Sequence, residues 1–114
     1  MIVCVPIDGG GGIGPSWGRA AQVAVADVKS GGIVSWQVCD VGWDALHDQG
    51  THGAHHARIV TFLREHGVEA IAVRGMGEGM VRVMDAMGIP VWFDADGPAR
   101  EVVIAVAAAA GGSH

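Results

Sequence analysis

The chain opens with IVCVPI, residues 2–7, an uninterrupted apolar run rich in β-branched side chains that ends at Asp8 and a cluster of glycines. A strand with one wet face alternates apolar and polar residues, so a run without alternation has two faces to bury. It predicts the central strand of a sheet covered on each side, and it obliges the rest of the chain to supply the cover. With 114 residues, 50% of them hydrophobic and 17% charged, the chain is large enough to do so as a single domain, expected over 1–110 with a flexible tail at 111–114.

Periodicity and punctuation supply the other elements. Residues 9–18, GGGGIGPSWG, have too much backbone freedom for regular structure and form a loop. AQVAVADV (21–28) and IVSWQVC (33–39) flank the turn signal KSGG and predict a β-hairpin. The polar connection 40–51 ends at Thr51, an N-cap for a helix over 52–66 whose Ile59, Val60, Phe62 and Leu63 share a face, with Gly67 closing it. AIAV (70–73) is a short strand, RGMGEG a glycine loop, and Met80, Val81, Val83, Met84 and Met87 stripe a second helix that stops at Gly88. IPVWF (89–93) is another strand, and DADGP opens a last helix with Pro98 near its first turn and an alanine-rich body to about residue 110. The order β-β-β-α-β-α-β-α implies right-handed parallel crossovers in its second half and an antiparallel strand from the hairpin.

Several partner classes are disfavoured at once. The net charge is -5, and the lysine and arginines are scattered, which leaves no basic stripe for a phosphate backbone. No apolar run is long enough to span a bilayer and MIVCVPI has no basic leader, so a cytoplasmic chain with neither nucleic-acid nor membrane partners is expected. Cys4 and Cys39 lack CxxC spacing and lie in strand-like contexts, which predicts reduced, buried thiols.

The candidate chemistry gathers at helix starts and glycine loops. At about 100° per residue, His52 and His56 point the same way as Ile59 and Leu63, with His55 on the flank above Phe62. This HxxxH spacing can hold one metal, but Gly53 stands where a zinc protease needs glutamate. His52, beside the glycine loops, is the candidate for function, whereas His56 either ligates or packs with its nitrogens satisfied. Gly9, Gly11 and Gly14 match GxGxxG spacing, yet no helix begins there to hold a pyrophosphate. Gly75, Gly77 and Gly79 do lie between a strand and a helix, and their backbone N–H groups suit an anion. Arg19 and Arg74 each flank a glycine loop and reach toward the same crevice. Trp17 and Trp43 are large apolar groups in connections, as a lid or partner surface or as packing. Asp8, Asp40 and Asp94 fall near strand ends, where a cluster would hold magnesium.

SWGRA (16–20), HGAHHARIVTFLREHGVEAIAVRGMGEGM (52–80) and MGIPVW (87–92) together resemble the nitrogenase iron-molybdenum cofactor biosynthesis accessory domain family, in order and spacing over nearly the whole chain. The resemblance implies a ribonuclease H-like three-layer α/β/α fold with a five-stranded mixed sheet, order 3-2-1-4-5, strand 2 antiparallel. It implies a non-catalytic carrier of iron-sulfur or iron-molybdenum-sulfur clusters or their precursors, working with a cluster donor or acceptor protein as a monomer or weak homodimer. Residue by residue it implies cluster binding at Ser16, Trp17, Gly18 and Arg19, at His52 and Gly53, and at Arg74, Gly75, Gly77 and Gly79. No cysteine lies in these loops, which leaves His52 and His56 as candidate metal ligands. Two other functions remain open: a magnesium-dependent phosphodiesterase built on Asp8, Asp40 and Asp94, and a small-ligand or protein-interaction module built on the tryptophans.

Overall fold

Residues 1–46 and 50–111 are described by a computed structural model, with the backbone alone at His52. The opening run forms β1 (Ile2–Ile7), the hairpin forms β2 (Gln22–Lys29) and β3 (Gly32–Asp40), and two short strands follow later, β4 (Ala70–Ala72) and β5 (Val91–Trp92). Helices are α1 (Trp43–Leu46), α2 (His52–Glu65), α3 (Glu78–Met87) and α4 (Ala99–Gly111). The sheet order is β3-β2-β1-β4-β5. β2 runs antiparallel to both neighbours, whereas β1, β4 and β5 are mutually parallel, as expected from the hairpin and the crossovers.

Side-chain alternation sorts the sheet into two buried faces. Cys4, Val23, Val25 and Ile71 meet Ile59 and Leu63 of α2 and Met80 and Met84 of α3. Val3, Val5, Ala24, Ala26, Ala70 and Ala72 meet Ala99, Val103 and Val106 of α4. The second interface sets alanine against an alanine-rich helix, and each fully buried valine there is worth about 1.5–3 kcal/mol. Pro6 is tolerated in the central strand because β4 pairs only with Val3 and Cys4, and the Pro6 carbonyl instead accepts from Gly14 N–H at 2.8 Å.

Four local findings depart from the expectations. The connection 40–51 contains a helical turn, α1, because Trp43 drops into the core and the N–H groups of Trp43 and Asp44 both reach the Ala20 carbonyl. β5 is shorter than 89–93: Ile89 N–H closes the end of α3 on the Met84 carbonyl, and Gly88 takes φ 70°, so the strand cannot begin there. α3 starts at Glu78, before its apolar stripe. The expected tail begins with Gly111, which is still helical, and 112–114 lie outside the described residues.

Candidate functional site

β1 and β4 are neighbours, but the chain leaving β1 turns toward β2 while the chain leaving β4 turns toward β5. Loops that part in this way open a crevice beyond the carboxyl ends of parallel strands. A cleft of about 360 Å³ lies here, lined by Ser16, Trp17, Gly18 and Arg19 after β1, by His55 and His56 of α2, and by Gly77–Met80 at the start of α3. Two segments far apart in sequence, both singled out by their glycines, therefore face each other across it.

The floor is held by an aromatic ladder. Trp17 meets Trp43 edge-on at 5.2 Å, Trp43 meets Phe62 at 5.5 Å, and Phe62 lies against His66 at 4.3 Å. Trp17 is 1% and Trp43 2% exposed, so packing, not a lid or partner surface, accounts for both. Their burial also fixes the loop that carries Ser16, Gly18 and Arg19. Trp17 Nε1 is buried and, among the described residues, its N–H has no acceptor. A buried donor left unpaired costs about 1–3 kcal/mol.

The histidines divide differently from the expectation. His55 is not on the flank: it is 4% exposed, the buried polar residue of the core. Helix geometry sets His55 and His56 about 40° and 60° to either side of Ile59, so periodicity alone does not say which one is covered. The Ser16–Arg19 loop closes over the His55 side. Arg58 Nη1 donates to His55 Nδ1 at 2.9 Å, and because guanidinium nitrogens only donate, the ring proton sits on Nε2, which donates to the Gly18 carbonyl at 2.8 Å. With both nitrogens engaged, His55 positions the loop and does not ligate. His56 is half-buried and lies over the first turn of α3, its Cε1 2.9 Å from the place a Gly79 Cβ would occupy. The His52 side chain lies outside the described residues; its backbone starts α2, where Thr51 accepts from Ala54 N–H at 3.0 Å as the expected cap.

α3 presents its amino end to the cleft. Gly77 is its N-cap and, among the described residues, no side chain caps it. The first-turn N–H groups of a helix lack acceptors within it and carry partial positive charge. Arg19 is exposed at the rim, and Glu78, the acidic residue of this turn, lines the same space. The structure thus joins Ser16, Trp17, Gly18, Arg19, His56, Gly77 and Gly79. It does not bring in Arg74, which donates to Asp96 at 3.1 Å on the exposed side of the sheet ends, nor Gly75; Gly53 is exposed on the outer side of α2. His55, Glu78 and Met80 are additions: the sequence put His55 on the flank of its helix, Glu78 within the glycine loop and Met80 on the apolar stripe of the next helix, without assigning any of them to the site.

The carboxylate alternative loses its geometry. Asp8 Oδ1 accepts from Gly10 N–H at 2.8 Å and Gly12 N–H at 2.9 Å, which holds its carboxyl below the usual range, and Asp40 accepts from Gln22 at 2.7 Å. Among the described residues no three His, Cys, Asp or Glu side chains form a metal-holding group, so Asp8, Asp40 and Asp94 do not converge. The first glycine loop is tied to the end of β1 by a bridge from Ile7 to Ile13 and to the segment before α4 by one from Gly12 to Pro98, with no helix start inside its GxGxxG spacing. Cys4 is buried inside the sheet, and burial together with nearby Cys39 pushes its thiol far up; both cysteines are free thiols, but Cys39 is only half-buried.

Comparison with known proteins agrees with this architecture. Residues 1–109 match the family model described as dinitrogenase iron-molybdenum cofactor. No curated protein matches the sequence. Among solved structures, PH0822 superposes with a TM-score of 0.72 at 22% identity, covering 98% of this chain and 92% of that one. The apo form of the orange protein from Desulfovibrio gigas gives 0.71 at 23% identity, covering 97% and 88%. The Thermotoga protein TM1290 gives 0.65 at 20%, covering 96% and 88%. At such identities the likeness speaks for the fold.

Proposed function

Because the chain belongs to the dinitrogenase iron-molybdenum cofactor family, we propose that it is a cytoplasmic accessory protein without catalysis of its own. It binds an anionic iron-sulfur or iron-molybdenum-sulfur cluster, or a precursor, transiently in the cleft and passes it to an acceptor protein. The observation that carries this reading is the donor set: the uncapped start of α3 and Arg19 line one space. Metal-sulfur clusters carry negative charge on their outer sulfurs, and N–H donors hold such charge without a covalent bond. The cleft lining contains no thiolate, the ligand that would bind iron tightly: Cys4 is inside the sheet and Cys39 lines a separate groove. Cargo held by its outer surface, with His56 and His52 as the imidazole ligands, is cargo that can be released.

Anaerobic titration with tetrathiomolybdate, followed by absorbance, and with a synthetic iron-sulfur cluster, followed by EPR, tests this. Saturable binding is expected, weakened about tenfold by Arg19→Ala through loss of a charge-assisted donor. Gly79→Ala should weaken it as well, since the new Cβ displaces the His56 ring. Arg74→Ala, outside the cleft, should leave it unchanged. Equal binding by the wild type, His52→Ala and Arg19→Ala would sink the reading.

A further inference from the structure

The two hydrogen-bond partners of His55 belong to different parts of the molecule. Its Nε2 donates to the Gly18 carbonyl at the cleft, whereas its Nδ1 accepts from Arg58, which lines the groove between α2 and β3 and not the cleft. Residues three apart on a helix are neighbours, so α2 itself brings Arg58 within reach of His55. Guanidinium groups are usually matched by carboxylates. Among the described residues the half-buried Arg58 has no carboxylate partner, and its hydrogen bond goes to an uncharged ring nitrogen instead.

A neutral imidazole has two tautomers, and here they are not equivalent. With the proton on Nε2 the ring gives to Gly18 and takes from Arg58, so both contacts are hydrogen bonds. With the proton on Nδ1 the ring would set a donor against a donor at Arg58, 2.9 Å away, and a lone pair against the Gly18 carbonyl oxygen, 2.8 Å away. Both contacts turn repulsive together. Arg58, a group that cannot accept, thus decides at one end of the ring what the other end can hold.

Gly18 needs such a hold. With Arg19 it forms the middle of a turn that the Ala20 N–H closes on the Trp17 carbonyl at 3.2 Å. A Cβ on Gly18 would meet nothing within 4 Å, so no packed side chain restrains this peptide and the hydrogen bond to His55 sets the direction of its carbonyl. The peptide is planar and its other half is the Arg19 N–H, so holding the Gly18 carbonyl also holds the start of Arg19, which lines the cleft.

We infer that Arg58 is a positioning residue for the cleft, acting through the tautomer of His55. It lies outside the cleft. By filling Nδ1 it keeps the ring proton on Nε2, and that proton keeps Gly18 and Arg19 in place. The consequence for cargo rests on the proposed function, whereas the control of the loop by Arg58 does not.

Three variants of the full chain test this. Arg58→Met keeps an apolar stem without a donor, Arg58→Lys restores a donor, and Arg64→Met removes an exposed charge from the same helix. Long-range 1H–15N NMR spectra report which nitrogen of His55 carries the proton. The wild type and Arg64→Met should show it on Nε2, and Arg58→Met a mixture of tautomers. In Arg58→Met, amide exchange across 17–20 should speed about tenfold and tetrathiomolybdate should bind about tenfold more weakly, as for the loss of one hydrogen bond. Arg58→Lys should recover most of each. A wild-type proton on Nδ1 overturns the inference, and this measurement needs no variant to fold. It is overturned as well if Arg58→Met keeps the wild-type ring signals and loop exchange, if Arg64→Met loses as much as Arg58→Met, or if Arg58→Met loosens the loop yet binds tetrathiomolybdate like the wild type. Should the wild type bind no tetrathiomolybdate, the cargo reading fails, while the ring signals and loop exchange still decide whether Arg58 positions the loop.

Discussion

Two side chains do more than their residue type announces. His55 is a structural clasp: it takes a hydrogen bond from Arg58 on the helix and gives one to Gly18 in the loop. Removing it leaves a buried carbonyl without its donor and a guanidinium without its acceptor. We expect His55→Ala to cost about 2–3 kcal/mol in urea unfolding and to speed amide exchange across 16–19. Asp8 works by charge, since two glycine N–H groups stabilise its carboxylate and lower its pKa. A depressed carboxyl contributes stability that is fully present above its unfolded value of about 4 and is lost as pH falls through the folded value. Thermal melts below about pH 4 should therefore fall more steeply for the wild type than for Asp8→Asn, which keeps the acceptor but not the charge.

At the scale of elements, α3 joins the sheet to the cleft, since its amino end faces the site while Met80 and Met84 anchor its other face in the core. Met84 is 1% exposed, so Met84→Ala should cost about 2–4 kcal/mol in chemical denaturation. Because it lies well inside the helix, it should weaken thiometalate binding less than Gly79→Ala does. Elements of this kind were legible before the structure. The unbroken apolar run placed β1 at the centre, KSGG placed the hairpin, Thr51 capped α2, and Gly88 stopped α3. What escaped was set by contacts distant in sequence. α1 exists because Trp43 finds the core and Ala20 offers a carbonyl, and β5 shrank because the cap of α3 consumed Ile89. Within the site, periodicity named a face with three histidines but not the side on which the Gly18 loop would close. Arg74 looked equivalent to Arg19 as a glycine-loop flank, yet an exposed ion pair with Asp96, worth at most about 1 kcal/mol, keeps it elsewhere.

For the molecule as a whole, charge and topology pull in different directions. A chain of net charge -5 repels a free anion at long range, and the donors of the cleft act only over short distances. Rising salt should therefore ease direct entry of the anion, which titrations of the wild type at two ionic strengths check. The sheet also fixes the order in which the fold can be completed. β1 and β2 are joined by the glycine-rich loop and β2 and β3 by a tight turn, whereas the parallel seam joins Val3 to Ala70, across more than half of the chain. Closing a loop of that length costs roughly 4 kcal/mol of chain entropy before any contact of the seam repays it. The strand that begins the sequence thus waits for its second neighbour until β4 has been made, and the pairing that creates the crevice is among the last that an emerging chain can form.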